Sequence, residues 1–219
     1  MLRASWFAVL ATVLSSAPVR AQVCAGFPSF QSRPIQVAGG AGFNKSSKSF
    51  GVAVAGGGAR AFVDVALGTT HIDAYNASAL NVGVEAGYQI SLGKKGLLQL
   101  CPGAGLGLLT GPKNILGTGF DYSETDIRFG VIVGGVAARG AQVDVVPTGL
   151  IEFVNADGKF QDAFGSSTSK SQSFGIVGLG LGVVLNHELS IRPSVSIPFG
   201  HSGGPTSFGV WLAVNFRGT

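Results

Sequence analysis

Charge is scarce in this chain, and so are the long apolar runs of a helical membrane protein. Asp, Glu, Lys and Arg make up 12% of the 219 residues, yet the mean hydropathy is +0.40. A secreted, water-soluble domain of that composition would be hard to keep in solution. A spanning helix needs about 20 consecutive apolar residues, and beyond residue 21 no run reaches that length without a polar residue or glycine. The lysines form no stripe: Lys45, Lys48, Lys94, Lys95, Lys113, Lys159 and Lys170 scatter among expected loops, which argues against nucleic acid as a partner. Metal-ligand spacing, a phosphate loop and a nucleotide motif are all missing, so no metal and no cofactor is expected. Thirty-five glycines and nine prolines without a three-residue period exclude collagen and leave a β architecture rich in turns.

The first stretch, MLRASWFAVLATVLSSAPVRAQ, has Arg3, an apolar run from Trp6 to Leu14 and small residues at Ala17 and Ala21. That is the pattern of a secretory signal spanning residues 1–21. Its removal takes away Arg3 and Arg20, so a formal charge of +4 becomes +2. Residues 22–33 show no periodicity and read as an N-terminal periplasmic segment, ahead of one domain over 34–219. Cys24 and Cys101 are the only cysteines. Export to an oxidising compartment makes them a candidate disulfide, with two unbonded thiols as the alternative. The bond would tether the N-terminal segment beneath or inside the domain.

What is present is alternation. In Ser207–Phe216, Phe208, Val210, Leu212, Val214 and Phe216 share one face, and Gly209, Trp211, Ala213 and Asn215 the other. A terminal strand with one wholly apolar side reads as the closing strand of a barrel whose outer face meets lipid. Nine earlier stretches fit the same frame. They are Pro34–Phe43, Phe50–Gly56, Arg60–Thr69, Leu80–Ile90, Leu98–Leu108, Ile127–Val133, Val143–Phe153, a strand starting near Phe174, and Leu189–Phe199. In the eighth, a bulge at Ile176–Val177 would move the outward set to Val177, Leu179, Leu181 and Val183. The expected fold is all-β: an antiparallel up-and-down transmembrane β-barrel of ten strands, or eight if the brief first three are misread. Loops should follow strands 1, 3, 5, 7 and 9, and tight turns the even strands, which puts both termini in the periplasm.

On that topology Phe43, Phe50, Phe129, Phe153, Phe174, Phe199 and Phe208 all point outward at the external end, as an aromatic girdle requires. The signal, the glycine-rich alternating strands and the closing VWLAVNF resemble the small bacterial outer-membrane β-barrels of the opacity-type and OmpX-like family. In that family an alternating apolar terminus ending in Phe is the barrel-assembly signal, and Val210, Leu212, Val214 and Phe216 match it. The chain departs from the pattern in carrying Arg217-Gly218-Thr219 beyond the aromatic. The resemblance implies outer-membrane lipid, lipopolysaccharide and the barrel-assembly machinery as partners, in a Gram-negative-type bacterium. A monomer is expected.

Six charged residues fall on inward positions: Asp64, Glu85, Arg128, Asp144, Glu152 and Arg192. Counted back from a turn at Arg139-Gly140, Arg128 and Glu152 come out nearly opposite. Buried charges are costly unless paired, so a salt-bridge network filling the interior is one reading; a selective, water-filled lumen is the other. Enzyme candidates are sparse. His201-Ser202 would point apart in extended chain, His71 with Asp73 has no third member, and His187 sits in a turn. No enzymatic activity is expected. The expected role is structural or surface-interacting, with loops 110–125 and 155–171 as contact surfaces. A narrow passive channel is the alternative, and a lipid-modifying enzyme the weaker third.

Overall fold

The computed structural model describes residues 34–58, 60–73, 76–92, 98–111, 121–140, 142–161, 166–186, 188–200 and 204–216. The expected signal (1–21), the segment 22–33 with Cys24, His187, His201-Ser202 and the tail 217–219 lie outside the described residues. Among those described, ten strands form: β1 Ile35–Asn44, β2 Ser47–Gly57, β3 Ala61–Ile72, β4 Ala77–Tyr88 resuming as Ile90–Leu92, and β5 Leu98–Thr110. They continue with β6 Asp121–Gly135 resuming as Ala138–Arg139, β7 Val143–Gln161, β8 Ser167–Leu185, β9 Leu189–Phe199 and β10 Ser207–Phe216.

Each strand pairs antiparallel with its neighbours in sequence, and β10 pairs with β1 from Ile35↔Phe216 to Asn44↔Ser207. The sheet is therefore closed, and no barrel strand is left with two open edges. Following register partners once around, from Val145 through Val183, Ile191, Leu212, Gly39, Val52, Leu67, Val82, Leu108 and Thr125, returns to β7 at Asp157, and 157 − 145 gives a stagger of 12 residues. With a rise of ~3.3 Å per residue and ~4.8 Å between strands, the strands tilt about 40° around a backbone radius of about 10 Å. Side chains from opposite walls can meet across a cylinder of that size.

The molecule is apolar on the outside. Ile35, Val52, Val54, Val65, Leu67, Leu106, Ile151, Leu179 and Leu212 are all exposed, while Gln36, Gln89, Gln99, Asp126, Asp144, Ser190 and Asn215 are buried. This inversion follows from the strict two-residue period, which sends every second side chain inward. Among the described residues no helix is long and apolar enough to cross a membrane; crossing by strands is a separate matter.

The end where β1 begins and β10 finishes is the terminal end; the other is the far end. Connections at the terminal end are residues 58–60, 93–97, 140–142 and 186–188, and at the far end 45–46, 73–76, 111–120, 162–166 and 200–206. Three expectations need correction. The loop expected over Asn44–Ser49 contracts to 45–46, because Asn44 Oδ1 accepts the backbone N–H groups of Ser46 and Ser47, both at 2.8 Å. The loop expected at 110–125 ends earlier, because β6 already starts at Asp121, and most of the loop expected at 155–171 is strand, since β7 and β8 run 19 residues each. Residues 121–126, 155–161 and 167–173 keep the hydrogen-bonded ladder but carry no outward apolar row: on β7 the outward set turns polar at Asn155, Asp157, Lys159 and Gln161, while Ala156 stays buried on the inner face. Finally, β8 carries no bulge at Ile176–Val177; its register with β7 is unbroken from Ser167↔Gln161 to Leu185↔Val143.

That register puts Phe174 opposite Val154, on the inward face, and Gly175 opposite Phe153, on the outward face. Phe174 is therefore not part of an outer ring. The outward position on β8 is held by Gly175, and the ring of Phe199 from β9 lies across it; a Cβ there would meet Phe199 Cζ at 2.1 Å. Glycine leaves the space that the neighbouring aromatic fills. Phe43, Phe50, Phe129, Phe153, Phe199 and Phe208 do stand exposed at the far end. Phe43 and Phe208 are register partners, Phe129 stacks on Phe153 at 5.7 Å, and Phe153 meets Phe199 edge-on at 6.2 Å. Val210, Leu212, Val214 and Phe216 form the outward row of β10.

Candidate functional site

The lumen divides into a filled half and an open half. Toward the terminal end, Phe62, 4% exposed, packs with Ala55, Cys101 and Ile132, and Val146 and Val184 pack with Val136. Phe62 is in register with Gly87 on β4, and its ring occupies the space a side chain there would need: a Cβ on Gly87 would lie 2.3 Å from Phe62 Cε1. Below this layer Gln36 Nε2 donates to Asn215 Oδ1 at 2.8 Å, and Asn215 Nδ2 donates to the Glu188 carbonyl at 3.1 Å. Cys101 is disulfide-bonded. The void between Glu85, Cys101, Gly105, Ile132 and Glu152 measures ≈ 20 Å³, about the room of one water.

The six inward charges are distributed through the filled half and the midplane. Asp64 and Glu85 are register partners on β3 and β4, two carboxylates side by side. Arg128 does not stand opposite Glu152. Its partner in register is Val154, and Glu152 faces Gly130. Two local features account for the slip. The turn sits at 140–142, with the Gly140 N–H donating to the Val143 carbonyl, and β6 carries one extra residue between Gly134↔Thr148 and Ala138↔Val145. Arg128 instead forks onto Asp126 two residues earlier on the same strand face: Nε donates to Oδ1, and Nη2 donates to Oδ2 at 3.0 Å. Among the described residues, Asp64, Glu85 and Glu152 have no basic group at ion-pair distance. Asp144 is buried beside Val146, and Arg192 borders a ≈ 60 Å³ void with Thr148 and Ser194.

The far half is open. A cavity of ≈ 420 Å³ lies between Ser49, Thr70, Asn81, Glu124, Asp126, Arg128 and Trp211, with glycines 40, 42, 51, 68, 83 and 107 along its walls. Glycine at 107 makes room for the Asp126 carboxylate, whose Oδ2 would lie 2.2 Å from a Cβ at that position. A second cavity of ≈ 320 Å³ borders Ser49, Thr70, Ser194, Ser196 and Trp211. Asp126, Glu124, Asn81 and Trp211 are the site residues that sequence reasoning missed. Glu124 lies in the expected loop 110–125 and Asp126 just past its border; the Asp-x-Arg spacing at 126 and 128, which puts both on one strand face, is the available signal.

His71 lies on β3 in register with Ser78 of β4. Its Nδ1 is 3.3 Å from Ser78 Oγ, and its Nε2 is 3.9 Å from Asp73 Oδ1. Both His71 and Asp73 are well exposed, and none of the described cavities includes them. Among the described residues no group of three or more His, Cys, Asp or Glu is placed to hold a metal ion.

No family model matches the chain, and no curated protein does. Among solved structures, the beta domain of the Bordetella autotransporter BrkA is similar with a TM-score of 0.54, over 85% of this chain and 100% of that one, at 12% identity. The fold is that of a bacterial outer-membrane β-barrel. The N-terminal β-barrel domain of Pseudomonas aeruginosa OprF is similar at a TM-score of 0.41 and 11% identity, covering 85% and 98% of the two chains. The Yersinia pestis attachment invasion locus protein Ail gives 0.42 and 13%, covering 83% and 94%. At such identities the likeness concerns architecture alone. The outer-membrane barrel fold accounts for the exposed apolar belt and leaves the lumen and far end to be read on their own chemistry.

Proposed function

We propose that this chain is a non-enzymatic, monomeric outer-membrane barrel that makes surface contacts through its far end, which faces outward from the cell. The observation that carries the reading is the sheet formed by β6, β7 and β8 beyond the aromatic ring. From Phe153 to Gln161 the strand climbs eight residues, about 26 Å along its length. Its outward side chains there are Asn155, Asp157, Lys159 and Gln161, and those of β8 are Ser167, Ser169, Ser171 and Ser173, all exposed. Polar side chains on a hydrogen-bonded sheet outside the apolar belt belong in water. The shorter average connections at the terminal end support a periplasmic terminal end. The belt would meet outer-membrane lipid, with lipopolysaccharide against the phenylalanine ring, and Val210 to Phe216 would present the assembly signal.

Bacteria displaying a Ser169→Cys variant are expected to react with a membrane-impermeant maleimide, while Glu188→Cys at the terminal end stays unlabelled; the reverse pattern overturns the orientation. Replacing residues 156–172 by an Asn-Gly turn is expected to reduce attachment to immobilised serum and matrix proteins severalfold. Equal attachment by the shortened barrel would remove the contact role from this sheet. A passive channel is the second reading, favoured by the ≈ 420 Å³ far cavity. Against it stands the layer of Phe62, Gln99, Cys101 and Val184 below, all under 5% exposed.

A further inference from the structure

The far cavity holds a set of groups that neither the membrane belt nor the projecting sheet uses. Trp211 projects from β10 and lies flat over Gly40, its register partner on β1; a Cβ on Gly40 would fall 2.4 Å from indole Cδ2. Gly51, next in register on β2, would reach Trp211 Cη2 at 3.7 Å. One indole face is thus backed by glycine main chain, and the residue borders both far cavities. Gly68 extends the bare wall to Asn81 on β4. Asn81 Nδ2 donates to Thr70 Oγ1 at 2.7 Å, while Asn81 Oδ1 is buried with no hydrogen-bond partner among the described residues. Leaving a buried acceptor unsatisfied is unfavourable, so the site favours a ligand that brings a donor. On the β6 side, the Asp126–Arg128 fork offers acceptor and donor together with no net charge.

We propose that this cavity binds the terminal ring of a neutral saccharide. A pyranose has an apolar C–H face for the indole and a rim of hydroxyls that both donate and accept. Asn81 Oδ1 needs a donor, and the Asp126–Arg128 fork takes a hydroxyl pair. A cation would meet the guanidinium of Arg128, and an anion would meet the carboxylates of Glu124 and Asp126. The volume of ≈ 420 Å³ is within the range of small-molecule sites. The second cavity shares Ser49, Thr70 and Trp211 with the first, so the ring can be the end of a longer glycan entering from the far rim. The site goes beyond the surface-contact reading and does not rest on it, because binding can be measured without a membrane orientation.

The sequence holds two tryptophans, Trp6 and Trp211. The full chain carrying Trp6→Phe, refolded in a detergent without a sugar headgroup, therefore reports on Trp211 alone. Its fluorescence is titrated with maltose, cellobiose and N,N′-diacetylchitobiose, and with choline as a cationic probe. The expected result is a saturable change with at least one disaccharide, with affinity at least about tenfold weaker in Asn81→Ala. Should Asn81→Ala not refold, Thr70→Val on the same wall is expected to weaken binding likewise. No saturable response to any of the three sugars by a folded, heat-modifiable barrel overturns the proposal. So does saturation by choline alone, or sugar affinity unchanged in the variant.

Discussion

Phe62→Ala is expected to lower the unfolding free energy of the detergent-folded barrel by about 3–5 kcal/mol, the range for deleting a buried aromatic ring. Phe62 is 4% exposed and packed with Ala55, Cys101 and Ile132. The facing residue, Gly87, has no side chain to move into the gap, and neither does Gly103 beside it. The site therefore cannot collapse, which places the cost toward the upper part of that range. Urea titration followed by heat-modifiable gel mobility measures it. A loss within about 0.5 kcal/mol, typical of a solvated surface position, would mean that water already fills the terminal half.

The second large effect concerns the outer face. Val65 sits midway along β3, 45% exposed, in register with Val54 on β2 and Val84 on β4. An arginine at the midplane of a lipid-facing strand costs about 2–4 kcal/mol, so Val65→Arg is expected to lose that much when folded into lipid vesicles. Asp157→Arg, outward on the projecting part of β7, is expected to stay within about 0.5 kcal/mol of the parent. Equal and small effects at the two positions would say that the valine row does not face hydrocarbon.

The barrel itself was legible in the sequence because a half-immersed strand has to alternate: Leu80 to Ile90 and Phe208 to Phe216 announce their two faces residue by residue. The strand number, the closure by β10 and the inward placement of Asp64, Glu85 and Arg192 follow from that period. Legibility stops where the membrane stops. Residues 155–161 and 167–173 are strand whose outward face is wholly polar (Asn155, Asp157, Lys159 and Gln161; Ser167, Ser169, Ser171 and Ser173), so the outward apolar row that marks the other strands is missing there. Phe174 shows a different limit. Keeping it outward required a bulge, whereas the chain keeps its ladder and lets Phe199 cover Gly175 from the next strand. A cross-strand substitution of that kind has no signature in either strand alone. Arg128 was assigned to Glu152 by counting from a turn, and a displaced turn with one extra residue on β6 shifted the count by two. Asp126, the carboxylate that does hold it, is buried at 6% exposure at the border of a stretch read as loop. Trp211 was placed inward by the alternation of β10, but its stacking on Gly40 depends on β1 being the neighbour, a fact of closure.

The central claim is that the lumen is shut at its terminal half, so that the far end works as a surface and a vestibule. Single-channel recording of the refolded chain in a planar bilayer tests this most directly. The closed packing around Phe62, Gln99 and Val184 predicts insertion without discrete conductance steps. Steady steps whose ion selectivity changes in Glu85→Ala or Arg192→Ala would contradict it and make the inward charges the lining of a channel.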